Sequence, residues 1–134
     1  MTFVESKTLL TPLLFGDIKV PDNNTLIVLY KVAFDYIVNE CIPLKLVTKT
    51  NDFSTVRTVD IGDGVIRYIR RPRLPKVDGD TLDIDDELCN PLTYLVASYL
   101  SKAKPGDLYA QALEMISQYN FKVYNTRELL KDEQ

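Results

Sequence analysis

Few residues in this sequence are of a type and spacing suited to acid–base or nucleophilic chemistry. The 134 residues include no histidine, which removes the commonest general base and the usual partner of a serine or cysteine nucleophile. Cys41 and Cys89 cannot by themselves form a zinc site or a disulfide framework. We expect them to be two buried free thiols in a reducing compartment. The sequence therefore predicts a protein that is not an enzyme; a small enzyme that uses Asp and Tyr side chains is the less favoured alternative.

Six acidic residues fall between Asp78 and Glu87. Asp78, Asp80 and Asp83 resemble the beginning of a calcium loop. However, the sixth position is Asp83 where glycine is needed, and the twelfth is Cys89 where glutamate is needed. Acidic residues ahead of an apolar run are also favoured by the positive end of a helix dipole. We interpret the stretch as a solvated helix entry and expect no metal and no cofactor.

Basic residues are concentrated immediately before this acidic stretch. Residues 44–76 include eight basic and three acidic side chains, although the formal net charge of the chain is -3. The basic region has three interpretations: a solvated face, a patch that pairs with the acidic stretch of a neighbouring copy, or a surface that binds nucleic-acid phosphates without reading sequence. The candidate subunit or DNA contacts are Arg57, Arg67, Arg70, Arg71, Arg73 and Lys76.

Length and composition favour a single folded domain. A chain of 134 residues, 46% hydrophobic and 26% charged, falls in the common range for one domain and is unlike a disordered chain. Its apolar runs are much shorter than the roughly 20 residues of a membrane span. The N-terminus lacks the layout of a secretion signal. We expect a domain over residues 1–120 that is neither membrane-bound nor exported.

The clearest predicted element is a helix from Leu26 to Cys41. It follows a cluster of turn and capping residues at 21–25 and ends before Pro43. Its apolar residues recur at steps of three and four, but Val28 and Val32 add a second apolar side. Such a helix is either central in the fold or shared with a partner.

The remaining elements are a small β element and two further helices. Residues 44–71 contain three β-prone runs, the last two joined by the hairpin-type connector at 62–64. The next predicted helix ends at Leu100, and Pro91 leaves its first residue undecided. The last predicted helix runs from Asp107 to Tyr119. Residues 1–20 lack clear periodicity and are predicted to be extended. The predicted fold is α+β: a small bundle of about three main helices, a short antiparallel β element and extended terminal arms.

The final residues, 121–134, are predicted to be a C-terminal docking arm. They mix charged residues with apolar ones that have no obvious partner inside the chain. The candidate docking residues are Phe121, Val123, Tyr124, Leu129 and Leu130.

Several stretches resemble the small neck proteins of tailed bacteriophages. The resemblance is carried by residues 68–75 (YIRRPRLP), 82–88 (LDIDDEL), 94–100 (YLVASYL), 109–113 (YAQAL) and 116–120 (ISQYN). It covers roughly residues 44 to 120 and is a pattern of hydrophobic helices and connectors. Pro91 departs from the long helix of those proteins.

The resemblance implies a head-to-tail connector, or adaptor, in the virion. Such a subunit, made in the host cytoplasm, forms a homo-oligomeric ring beneath the portal protein and extends the DNA channel towards tail or neck proteins. It implies that a helical bundle forms the ring wall, that residues 121–130 dock on a neighbour, and that residues 57–73 contact subunits or packaged DNA. The alternative function is a small bacterial protein-binding or regulatory module without catalysis.

Overall fold

The structure is a computed structural model that describes the backbone of residues 1–16 and 18–132 and the side chains of residues 1–16 and 18–122. These residues form an α+β fold, which confirms the predicted class and adds one helix to the predicted three. The helices are α1 (Phe3–Leu14), α2 (Asn23–Glu40), α3 (Asp86–Leu100) and α4 (Pro105–Asp132). The three-stranded antiparallel sheet has the order β1 (Val47–Thr48), β3 (Ile66–Arg70), β2 (Thr55–Asp60).

The N-terminal segment is helical in α1, so the prediction of an extended segment over residues 1–20 is wrong there. The Thr2 hydroxyl accepts the N–H of Glu5, and the Glu5 carboxylate accepts the N–H of Thr2, both at 3.2 Å. This reciprocal capping box fixes the beginning of the helix. The helix ends at Phe15, whose φ of 52° is left-handed, so Pro12 lies in the last turn.

The buried stripe of α1 includes a polar residue, which obscures its helical periodicity in the sequence. Ser6 is fully buried among apolar residues of the same helix. Its hydroxyl lies 2.6 Å from the hydroxyls of both Tyr30 and Thr93, and Thr93 donates to the carbonyl oxygen of Cys89 at 2.9 Å. A chain of hydroxyls therefore joins α1, α2 and α3 inside the core.

The predicted central helix is present as α2. Its cap is Asp22, whose carboxylate accepts the N–H of Thr25 at 3.0 Å. Six of its residues are buried: Leu26, Tyr30, Ala33, Phe34, Ile37 and Val38. One face of α2 thus lies in the main core, while the sheet packs near its C-terminal end through a smaller cluster of Val38, Leu46, Val59 and Ile69.

The sheet falls within the predicted β element of residues 44–71. A hairpin joins β2 to β3 through Gly62 and Gly64, whose φ angles are +82° and +79°; glycine adopts these values without a steric penalty. A β-bulge interrupts the register between Thr55 and Arg57. Because β1 and β2 are the outer strands, β3 is central and carries the buried Ile69.

Helices α3 and α4 pack against each other in opposite directions, since Lys122 far along α4 pairs with Glu87 in the first turn of α3. Pro91 lies inside α3, which begins at Asp86, so the boundary that the sequence left open falls before the proline. Pro105 is the first residue of α4, a position where the missing proline N–H costs nothing. The helix continues past Tyr119 to Asp132, so the predicted extended C-terminal arm is helical along its backbone to that residue.

Candidate contact surfaces

Arg67 is an internal residue of the hairpin. Its side chain is 2% exposed, and its guanidinium donates to both carboxylate oxygens of Asp63 at 3.2 and 2.9 Å. Such a two-bond pair fixes the geometry of a buried charge. The Arg67 guanidinium is thus buried and paired within the chain, and the predicted contact of Arg67 with a subunit or DNA stays a prediction.

Arg57 holds the end of α2. Its Nε donates to the carbonyl oxygen of Val38 at 2.7 Å, and its Nη2 donates to the carbonyl oxygen of Cys41. Val38 lies in the last turn of α2 and Cys41 is the residue that caps it, where helical partners are missing and the helix dipole is negative. The Arg57 guanidinium thus attaches β2 to α2 and is already occupied within the chain.

Arg70 pairs with the acidic stretch of its own chain. Its Nη1 and Nη2 donate to the two carboxylate oxygens of Asp83 at 2.5 and 2.9 Å, and Asp83 also accepts the N–H of Arg73 at 2.8 Å. The Arg70 guanidinium is the main cause that lowers the pKa of Asp83 below its ordinary value. For this pair, the basic and acidic stretches meet inside one chain, and the predicted contact of Arg70 with a subunit or DNA stays a prediction.

The other three basic candidates are exposed. Arg71, Arg73 and Lys76 lie on the segment that follows β3, and the last two line a cleft of about 370 Å³ with Lys45. Asp80 also lines the cleft and accepts the N–H groups of Lys76 and Val77 at 2.7 and 3.1 Å. These bonds lower the pKa of Asp80. The cleft is therefore basic at its rim but carries ionised carboxylates as well.

Of the candidate docking residues, Phe121 is described and is 80% exposed. The side chains of Val123, Tyr124, Leu129 and Leu130 lie outside the described residues, although their backbone belongs to α4. The neighbouring Lys122 ammonium lies 2.9 Å from the Glu87 carboxylate, which places this part of α4 beside the beginning of α3. The docking role of residues 121–134 stays a prediction.

The structure shows an exposed apolar surface on α2. The sequence indicated it only through the second apolar side of the predicted helix. Val28 and Val32 on α2 are 62% and 50% exposed. The next residue at this spacing is Tyr36, whose ring packs edge-on against the ring of Tyr109 with centroids 6.1 Å apart. Tyr99 is also partly exposed. We call these five residues the outer stripe. Helix α2 therefore has one face in the core and one exposed apolar face, and a partner that covers the exposed face stays a prediction.

The two thiols of the chain are buried. Cys41 and Cys89 are buried, and burial raises the pKa of the Cys41 thiol to about 12, so it stays protonated at neutral pH. Within residues 1–16 and 18–122, no three Cys, Asp or Glu side chains are grouped to hold a metal ion. In the same described part of the chain, no helix has the length and hydropathy needed to cross a membrane.

Comparison with known proteins gives no relative. No protein-family model, no curated protein and no solved structure matches the chain.

Proposed function

We propose that this chain is a non-catalytic structural subunit of the head-to-tail connector of a tailed bacteriophage. Copies of it form a ring that joins the portal protein to tail or neck proteins and lines or seals the DNA channel. The chain acts by geometry: repeated contacts between identical subunits hold the ring, and its ends bind the neighbouring virion proteins.

The observation that carries the proposal is the number of large apolar side chains left exposed although the core is complete. Val28 and Val32 on α2, Phe53 before β2 and Phe121 on α4 are at least half exposed. They lie outside the main core, to which buried residues of all four helices contribute. Single exposed apolar residues such as Phe53 are ordinary, so the proposal depends on the contiguous outer stripe, a kind of surface that marks a contact with a partner.

The resemblance to phage neck proteins is the reason for proposing a ring as the assembly. It covers the β element and the α3–α4 pair, the parts that would supply the extension and the wall of a ring. A subunit of a closed ring needs two different lateral surfaces, because each copy contacts one neighbour on either side. We assign the outer stripe to one of these surfaces and the predicted C-terminal docking arm, residues 121–134, to the other.

Contact with packaged DNA is proposed for the exposed basic residues alone. Arg71, Arg73 and Lys76 have side chains at the surface, and phosphate contacts need no base recognition. The carboxylates of Asp80 and Asp83 in the same cleft weaken attraction to DNA, so the contact would serve retention of DNA in a channel and not tight binding in solution.

The decisive experiment locates the protein in particles. Tailed particles purified from cells that carry the gene are labelled with antibodies against this chain and imaged by electron microscopy. We expect label at the junction of head and tail, and rings in images of the isolated protein or of its complex with portal protein. Particles without label, together with a monomer that binds one host protein, would instead indicate a regulatory module.

A further inference from the structure

The cleft beside the segment that follows β3 brings charges of both signs together. Its volume is about 370 Å³, which falls in the range of sites that bind a small ligand or a few side chains. Its charged lining consists of three cations, Lys45, Arg73 and Lys76, and two carboxylates, Asp80 and Asp83. What the cleft can bind depends on which of these groups already have partners.

Both carboxylates of the cleft are bonded to donors of their own chain. Asp83 accepts the guanidinium of Arg70 and the N–H of Arg73, and Asp80 accepts the N–H of Lys76. Arg70 is not among the residues that line the cleft. It therefore neutralises Asp83 without taking up space where a ligand would lie.

The cations of the cleft have unused donors. Arg73 and Lys76 are exposed, and among residues 1–16 and 18–122 neither side chain forms an ion pair. The Lys45 ammonium lies 4.0 Å from a carboxylate oxygen of Asp83, which is longer than a hydrogen bond. The cleft therefore has positive charge that its own carboxylates do not match.

The backbone that carries two of these cations is held in place. Pro72 and Pro75 are buried, whereas Arg73 and Lys76 between and beside them are exposed. Proline fixes the φ angle of the backbone, and the N–H groups of Arg73 and Lys76 are bonded to the two carboxylates of the cleft. Because this backbone is ordered before a ligand arrives, binding costs less conformational entropy.

A carboxylate beside an apolar group matches this cleft better than DNA does. Leu74 and Pro75 supply apolar atoms next to the cations, and an arginine can bind a carboxylate through two parallel hydrogen bonds. Duplex DNA carries one negative charge per about 1.7 Å of its axis, so a duplex at the cleft brings further negative charge towards Asp80 and Asp83. An acidic side chain brings one charge.

We propose that the cleft binds an extended acidic segment of a partner protein. A glutamate or aspartate of that segment pairs with Arg73 and Lys76, and an apolar neighbour packs on Leu74 and Pro75. The proposal depends on the cleft alone and not on a role in a virion. DNA, the contact proposed above for the same exposed cations, competes for this position, so the test includes it. Pairs of exposed charges are weak, and one cleft should bind with modest affinity.

Two synthetic peptides serve as probes. One is a hexapeptide of alternating leucine and glutamate with blocked ends, and the other has glutamine in place of every glutamate. Binding is followed at low salt through the backbone amide signals of the nitrogen-15-labelled protein in two-dimensional NMR. We expect the glutamate peptide to shift the signals of residues around 73–81 until they saturate. The glutamine peptide should bind about tenfold more weakly, because it lacks the charges.

A double variant removes the unpaired cations of the cleft. Arg73→Gln with Lys76→Gln keeps both backbone N–H groups and should weaken binding of the glutamate peptide about tenfold. The matched control, Lys19→Gln with Lys31→Gln, makes the same change of charge at exposed positions outside the cleft and should keep the affinity. Circular dichroism during heating verifies that both proteins remain folded.

Four outcomes would overturn the inference. They are no saturable shift with the glutamate peptide at its highest soluble concentration, equal binding of the two peptides, an equal loss of affinity in the control, and tighter binding of a short DNA duplex at the same salt concentration. The last result would assign the cleft to nucleic acid. Labelling of particles is a separate measurement, so a connector whose cleft binds no peptide is distinguished from a peptide-binding chain that is absent from particles.

Discussion

The hydroxyl of Tyr119 on α4 donates a hydrogen bond to the carbonyl oxygen of Ile42 at 2.9 Å and accepts the N–H of Leu44 at 3.2 Å. One side chain thus satisfies two backbone groups in the link between α2 and the sheet. Burial raises the pKa of Tyr119 above its ordinary value, so the hydroxyl keeps the proton that it donates.

Removal of the Tyr119 hydroxyl should destabilise the link between α2 and the sheet. We expect Tyr119→Phe to lower the free energy of unfolding by about 1–2 kcal/mol, because it leaves a buried donor and a buried acceptor without their partner. Urea denaturation measures the change. Tyr109→Phe is the control, since that hydroxyl meets the Tyr36 hydroxyl at an exposed position. Equal losses in the two variants would contradict the role of Tyr119.

The pairing of Arg70 with Asp83 predicts a loss of stability in acid. The folded-state pKa of Asp83 is lowered, so its contribution is complete above the unfolded-state pKa, about 3.9, and is lost as pH falls through the folded-state pKa. Asp83→Asn should therefore be less stable than the unaltered chain from pH 7 to about 5, by on the order of 1 kcal/mol for a partly exposed pair. The difference should shrink below about pH 4.

Urea midpoints across this pH range provide the measurement. Asp35→Asn on the exposed side of α2 is the control and should follow the unaltered chain at every pH. A difference between Asp83→Asn and the unaltered chain that persists unchanged at low pH would mean that the carboxylate charge is not what stabilises this region.

The hydroxyl chain in the core predicts a cost for removing its middle member. Ser6→Ala deprives the Tyr30 and Thr93 hydroxyls of a shared partner and should reduce the free energy of unfolding by about 1–2 kcal/mol. Thr8→Ala on the same helix should change it little, because Thr8 is exposed and bonds only within its own helix. Thermal unfolding of both variants would settle the comparison, and a neutral Ser6→Ala would rule out the proposed bridging role.

Because Arg67 is buried, its substitution tests whether this arginine stabilises the fold. Arg67→Met leaves the half-buried Asp63 carboxylate without the two bonds that the guanidinium donates, and we expect a loss of about 3 kcal/mol in the free energy of unfolding. Arg71→Met, at the surface next to β3, should leave stability within about 0.5 kcal/mol. If Arg67→Met unfolds like the unaltered chain, the buried pair is not a structural requirement.

The sequence predicted the elements whose apolar residues follow a regular period. The spacing from Leu26 to Cys41 identified α2, and the glycines at 62 and 64 identified the hairpin, because both signals are local. Helix α1 was missed since Ser6 occupies a core position and Pro12 suggested a break. The end of α4 was placed at Tyr119 because charged residues are then mixed with apolar ones.

The candidate contacts were harder to predict, because pairing between distant residues leaves no local signal. Arg70 meets Asp83 thirteen positions later, and Arg57 reaches carbonyls sixteen and nineteen positions earlier. A count of charges in a stretch cannot distinguish such internal pairs from surface ones. Arg71 and Arg73 lie beside Arg70 in the sequence and are of the same residue type. Only the folded structure shows that Arg71 and Arg73 are exposed while the Arg70 guanidinium bonds Asp83.

The β-bulge between Thr55 and Arg57 has a consequence for how copies can join. It lies on β2, an outer strand that also carries the exposed Asp60. A bulge twists an edge and a charged residue on it discourages addition of a further strand. Addition of a strand from another molecule at this edge of the sheet is thereby opposed.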